Sequence, residues 1–115
     1  PQTLVLRYSS LEPAERRQPQ VVDDYTRWFL ARLRTLEPIL EAKAFLCAGR
    51  FTAADVSVGY ALMLAQLLGL QSRFTPAVAR YWAALQAREG YQRALRAQDG
   101  AAIAQGVSTA PATTA

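Results

Sequence analysis

The feature that most constrains this chain is a helix start at residues 51–55, FTAAD, which opens a mostly apolar run. Thr52 has the chemistry of a helix N-cap, and Asp55 stands three residues later, where its carboxylate can accept the Thr52 backbone N–H in a reciprocal capping box. Phe51 before the cap and Val56 at the fourth helical residue can meet as a hydrophobic staple. Together these two devices predict one helix start.

The helix that follows is apolar on every side. Between residues 53 and 68 the polar side chains are Asp55, Ser57 and Gln66, together with the hydroxyl of Tyr60. A helix of this kind is expected in the middle of a hydrophobic core. A membrane span is the alternative, but the run is shorter than the ~20 residues that a bilayer requires. We therefore expect a buried central helix and no membrane association.

Helical periodicity also covers most of the remaining chain. Residues 3–10 are expected to form the end of a first helix, a long second helix begins near Pro19, and two more begin near Pro76 and Tyr91. Neither strand-like alternation nor an internal repeat is found. The predicted fold is an all-α bundle of about five helices around the buried central helix.

Two details of this pattern concern helix ends. Pro38 falls inside the second helical pattern, so that helix should break there and leave residues 37–42 as a loosely attached turn. Asp99 and Gly100 are expected to stop the last helix at residue 98. The chain therefore divides into a helical domain, 1–98, and a low-complexity tail, 99–115. The tail is expected to be disordered or loosely draped because it has few large apolar groups to bury, although residues 101–105 could form one helical turn.

Composition excludes several classes of site. The chain has one cysteine, Cys47, and no histidine, so it can form neither an internal disulfide nor a Ser-His-Asp or Cys-His catalytic site, and we expect no metal site. The net charge of +4 comes almost entirely from arginine. Because these arginines are scattered along the chain, we expect no nucleic-acid binding.

Three segments carry a resemblance to a known family. They are residues 45–60 (FLCAGRFTAADVSVGY), 75–79 (TPAVA) and 87–95 (AREGYQRAL). With this spacing, residues 1–98 resemble the C-terminal helical domain of a cytosolic, bacterial-type glutathione S-transferase. In that family the capping box and staple start the central helix of the domain.

The resemblance implies a function for a longer parent protein. Its N-terminal thioredoxin-like domain, absent from these residues, would hold glutathione as co-substrate and activate the thiol. The helical domain would supply one wall of the pocket for a small hydrophobic electrophile and part of a homodimer interface. We therefore expect a cytoplasmic, dimeric glutathione transferase whose catalytic residue lies outside this chain, and no activity from the chain alone.

The resemblance also suggests substrate-binding residues on the first helix and on the central helix. Tyr60 is the candidate on the central helix. A purely structural role for Leu4 and Tyr8, packed against the second helix, is the alternative. The full set expected to bind substrate is Leu4, Arg7, Tyr8, Leu11 and Tyr60.

A second function remains open for the same fold. Helical domains of this shape also serve as non-catalytic docking modules in translation factors and synthetase complexes, where the capping box is equally structural. Sequence upstream of the chain would discriminate between the two, because a thioredoxin-like segment favours the enzyme.

Overall fold

The computed structural model of the chain describes residues 1–110, and every regular element within them is helical. The α-helices are α1 (Gln2–Leu6), which continues into a π-helical turn (Arg7–Leu11), α2 (Pro19–Arg34), α3 (Glu37–Ala42), α4 (Ala53–Leu67), α5 (Pro76–Gln86) and α6 (Glu89–Ala104). Single 3-10 turns lie at Ala14–Arg16 and Gln71–Arg73. Counting α2 and α3 as one interrupted helix gives five. The predicted all-α bundle is therefore confirmed.

The break between α2 and α3 lies next to Pro38, where the sequence predicts it. α2 ends at Arg34, and α3 begins at Glu37 with Pro38 in its first turn. Proline has no N–H to continue a helix, whereas its fixed φ suits a helix start, so the predicted restart is confirmed. The prediction that this turn is loosely attached is wrong, because Leu40 is 3% exposed and belongs to the core.

Hydrogen bonds at both ends of α3 join it to α5. The Glu37 carboxylate accepts the Thr75 hydroxyl and the Ala77 backbone N–H, the latter at 3.2 Å. Arg80 donates to the Leu40 carbonyl at 2.9 Å. Glu37 therefore caps the start of α5, where the helix dipole favours its charge.

The most deeply buried face belongs to α5. Val78, Tyr81, Trp82 and Leu85 recur at the spacing of one helical face, and each is at most 5% exposed. The spacing in the sequence and the burial in the structure therefore agree for this helix. The core is completed by residues from the other helices and their connections: Phe29, Leu30, Leu33, Leu40, Leu62, Ala65, Leu70 and Ala77.

Only one side of α4 faces this core. Leu62 and Ala65 are fully buried, whereas Val56, Tyr60 and Leu67 are 58%, 60% and 57% exposed. The prediction from composition that α4 is buried on every side is therefore wrong. Val56, Tyr60 and Leu67 form a surface stripe. The apolar residues between this stripe and the buried face, Val58, Ala61, Met63 and Leu68, are partly buried against the core.

The N-terminal helix meets α4 through residues other than those its apolar spacing suggests. Val5 is 4% exposed and Gln2 is 8% exposed, and the Gln2 amide donates to the Ala61 carbonyl of α4 at 3.1 Å. Leu4 is half-buried and Leu11 is 63% exposed. Leu4, Tyr8 and Leu11, which their i, i+4, i+7 spacing would place on one helical face, are therefore not among the core residues.

The last helix is longer than expected. α6 passes through Asp99 and Gly100 and ends at Ala104, so the predicted stop at residue 98 is wrong. A glycine inside a helix costs only about 1 kcal/mol relative to alanine, and the alanines on either side favour the helix. Gly106, with a φ of 66°, follows the helix end. Of the predicted disordered tail, residues 111–115 lie outside the described residues.

Candidate functional site

The predicted capping box is present at the start of α4. The Thr52 backbone N–H donates to Asp55 Oδ2 at 2.8 Å, and the Thr52 hydroxyl donates to the same oxygen at 3.2 Å. In return, Thr52 Oγ1 accepts the Ala54 backbone N–H at 3.3 Å. Thr52 and Asp55 therefore fix the start of α4 as the sequence predicts.

The same carboxylate has two partners that sequence analysis missed. Asp55 Oδ1 accepts the Leu46 backbone N–H at 3.1 Å and the Tyr81 hydroxyl at 2.8 Å. Leu46 lies in the loop before α4, and Tyr81 lies on α5. Asp55 is 1% exposed, so one buried side chain joins a loop, a helix start and a second helix.

These contacts determine the charge state of the site. Burial by itself would raise the pKa of the Asp55 carboxyl, but the hydrogen bonds from the Leu46 and Thr52 N–H groups and from the Tyr81 and Thr52 hydroxyls outweigh it and lower the pKa below the ordinary value. Burial is the main cause that raises the pKa of Tyr81, and the hydrogen bond to Asp55 and the negative charge of Asp55 raise it further. At neutral pH the pair is therefore a charged carboxylate that accepts a hydrogen bond from a neutral phenol.

A cleft opens beside this junction, between α4 and the start of α6. It encloses about 250 Å³. Phe51 and Val56, the predicted staple residues, both line it, with exposures of 37% and 58%. We call it the aromatic cleft, and its lining residues are Phe51, Asp55, Val56, Gly59, Tyr60, Met63, Trp82, Leu85, Arg88, Gly90 and Tyr91.

A second groove lies on the other side of Tyr60. It encloses about 270 Å³ between α1 and α4. Tyr60 lies between the aromatic cleft and this groove, and it lines both of them. We call this second one the α1/α4 groove, and it is lined by Gln2, Thr3, Leu6, Tyr60, Leu64, Leu67 and Leu68.

The predicted residues of the first helix lie elsewhere. Tyr8 lines a separate groove against α2 and the connection after α4, together with Val22 and Leu70. The Arg7 guanidinium lies over the Tyr8 ring at 5.4 Å. Arg7 also pairs with Glu12 at 2.7 Å, and the hydrogen bond and charge of Glu12 raise the pKa of Arg7. The structure therefore places Tyr8 and Tyr60 in different grooves.

Comparison with known proteins identifies no relative. No family model matches the sequence, no curated protein matches it, and no solved structure matches the fold. Within residues 1–110, no helix combines the length and apolar character needed to cross a membrane. The same part of the chain holds no group of three or more His, Cys, Asp or Glu side chains placed to bind a metal ion.

Proposed function

We propose that the chain is the helical domain of a glutathione transferase, and that its α1/α4 groove forms the wall against which a small hydrophobic electrophile binds. The observation that supports this most is the exposed apolar stripe on α4. Tyr60 and Leu67 lie in the groove at 60% and 57% exposure. Apolar groups this exposed are suited to a ligand or a neighbouring domain.

In this proposal the groove binds and orients the electrophile, and the chemistry takes place on glutathione held by the thioredoxin-like domain of a longer, cytoplasmic parent. Tyr60 offers an aromatic face for a planar electrophile and a hydroxyl that can donate to a polar substituent. The reacting nucleophile is the thiol of glutathione, which this chain does not supply. The chain alone is accordingly expected to leave glutathione and electrophile unreacted.

The test is a conjugation assay on the full-length parent, with glutathione and a chloronitrobenzene. Tyr60→Ala should raise the KM for the electrophile by about tenfold, as expected for the loss of one aromatic contact, while the KM for glutathione stays unchanged. Ile103→Ala is the control, because Ile103 is 70% exposed and lines neither groove. A folded parent that binds glutathione without conjugating it would contradict the proposal.

A homodimer through α1 and α2 belongs to the same proposal. Trp28 is 46% exposed, and the Tyr25 ring meets it edge to face at 5.9 Å. Aromatic side chains are enriched in protein interfaces. Light scattering over a concentration series should show a dimer that Trp28→Glu converts to a monomer, and a parent that is monomeric at every concentration would exclude it.

A non-catalytic docking module is the second candidate, and the same exposed stripe on α4 favours it. Val56, Tyr60 and Leu67 could accept the apolar face of a partner helix in place of an electrophile. Glutathione binding by the parent separates the two functions, because only the transferase requires it.

A further inference from the structure

We propose that the aromatic cleft is a binding site for a small aromatic carboxylate, separate from the electrophile groove of the proposed function. Its walls are mostly aromatic and aliphatic, which is typical of small-molecule sites. An engineered cavity of roughly 150 Å³ accommodates benzene, so the enclosed volume of about 250 Å³ suits a ligand of one or two rings.

Aromatic residues define the shape of the cleft. The Trp82 and Tyr91 rings meet edge to face, with 5.6 Å between their centroids. Trp82 is held in place by its indole N–H, which donates to Gln66 at 2.6 Å. A planar ring in the cleft can therefore pack against side chains whose orientations are already fixed, which reduces the entropy cost of binding.

Charge selects the class of ligand. Arg88 lines the cleft, and its guanidinium lies over the Phe51 ring at 3.7 Å. Within residues 1–110, the Arg88 side chain has no ion-pair or hydrogen-bond partner besides its contact with the Phe51 ring, whereas neighbouring Glu89 pairs with Arg93 at 2.7 Å. Stacking leaves the edge of a guanidinium free, and that edge is the geometry that binds a carboxylate through two N–H groups.

The acidic residue of the cleft does not favour a cationic ligand. Asp55 also lines the cleft, but both of its oxygens already accept hydrogen bonds from Leu46, Thr52 and Tyr81. It is 1% exposed, so it offers no free acceptor to a ligand amine. Arg88 is therefore the charged side chain available at the cleft, and the ligand it complements is an anion.

Calorimetric titration of the 115-residue chain with naphthoate, without glutathione, tests this site. Naphthoate should bind saturably, and Arg88→Gln should weaken it by about tenfold, as expected for the loss of one charge-assisted contact. Arg96→Gln is the matched control, since Arg96 is an exposed arginine of α6, the helix that Arg88 precedes, and lies outside the cleft. Naphthamide, the uncharged analogue, should bind more weakly and should not respond to Arg88→Gln.

A variant that blocks the cleft tests whether the ligand binds inside it. Val56 lines the cleft and is 58% exposed, so Val56→Trp should fill the opening without disturbing the core, and it should weaken naphthoate and naphthamide alike. Absence of saturable naphthoate binding would overturn the proposal. Equal affinities in Arg88→Gln and Arg96→Gln, or unchanged binding in Val56→Trp, would also overturn it. None of these outcomes depends on conjugation activity.

Discussion

Replacing Asp55 by alanine removes the acceptor that joins the loop before α4, the start of α4 and α5. Loss of an N-cap interaction costs about 1 kcal/mol, and an unsatisfied buried donor costs about 1–3 kcal/mol. The Tyr81 hydroxyl is fully enclosed and the Leu46 N–H is partly accessible. With about 1 kcal/mol for the cap, about 1–3 kcal/mol for the enclosed Tyr81 hydroxyl and about 1 kcal/mol for the partly accessible Leu46 N–H, Asp55→Ala should lower the free energy of unfolding by roughly 3–5 kcal/mol.

Urea denaturation followed by circular dichroism measures this loss by linear extrapolation. Two milder variants keep the test informative if Asp55→Ala does not fold. Tyr81→Phe removes one donor and should cost about 1 kcal/mol. Asp55→Asn can still accept from Leu46 and Tyr81 at the position of Oδ1, but its amide group faces the Thr52 N–H, so its loss should be intermediate.

The outcome that refutes this reasoning is an Asp55→Ala protein within about 1 kcal/mol of the parent, because a single cap would then account for the whole effect. The pH dependence gives an independent check. The pKa of Asp55 is lowered by folding, so its contribution is fully present above the unfolded value of ~3.9 and is lost as the pH falls through the lower folded pKa. Asp55→Ala should lack this part of the acid destabilisation.

Further predictions concern single side chains. Folding raises the pKa of Tyr81, so the contribution of Tyr81 to the free energy of unfolding should be fully present below pH ~10 and lost above it. Tyr81→Phe should therefore reduce the loss of stability at alkaline pH, measured by urea denaturation. Glu37→Ala, which removes the cap of α5, should cost about 1 kcal/mol and lower the melting temperature. Gly59→Leu should destabilise by about 1–3 kcal/mol, because even a Cβ there would lie 3.2 Å from Leu85 Cδ1. Gly100→Ala, with open space around it, should instead raise thermal stability by up to about 1 kcal/mol.

The parts of the site that sequence reasoning could predict are local. Thr52 and Asp55 are three positions apart, and helix geometry alone brings them together. Tyr81 is 26 positions from Asp55, and Glu37 is 40 positions from its partner Ala77. Such pairs depend on how helices pack, which a single pattern of apolar residues does not specify. The Leu46 and Tyr81 donors to Asp55 therefore became apparent only in the fold.

Helix faces were predictable where the helix is regular. The buried face of α5 follows the expected spacing, but the first helix contains a π-helical turn in which the Glu12 N–H bonds to the Arg7 carbonyl at 2.9 Å. This wider turn breaks the spacing assumed for Leu4, Tyr8 and Leu11. For α4, composition indicates apolar faces without indicating how many of them the remaining helices cover. The exposure of Tyr60 could therefore be seen only in the structure.

The junction at Asp55 acts as a cross-link in a chain that has few other means of making one. Small domains often tie distant segments together with a disulfide or a bound metal ion. This chain has one cysteine and no histidine. The Asp55 carboxylate ties distant segments together instead, by accepting hydrogen bonds from Leu46, Thr52 and Tyr81. Such a joint cannot be opened by a reductant or a chelator. Acid opens it instead, because protonation of the Asp55 carboxylate weakens the hydrogen bonds that all three partners donate to it.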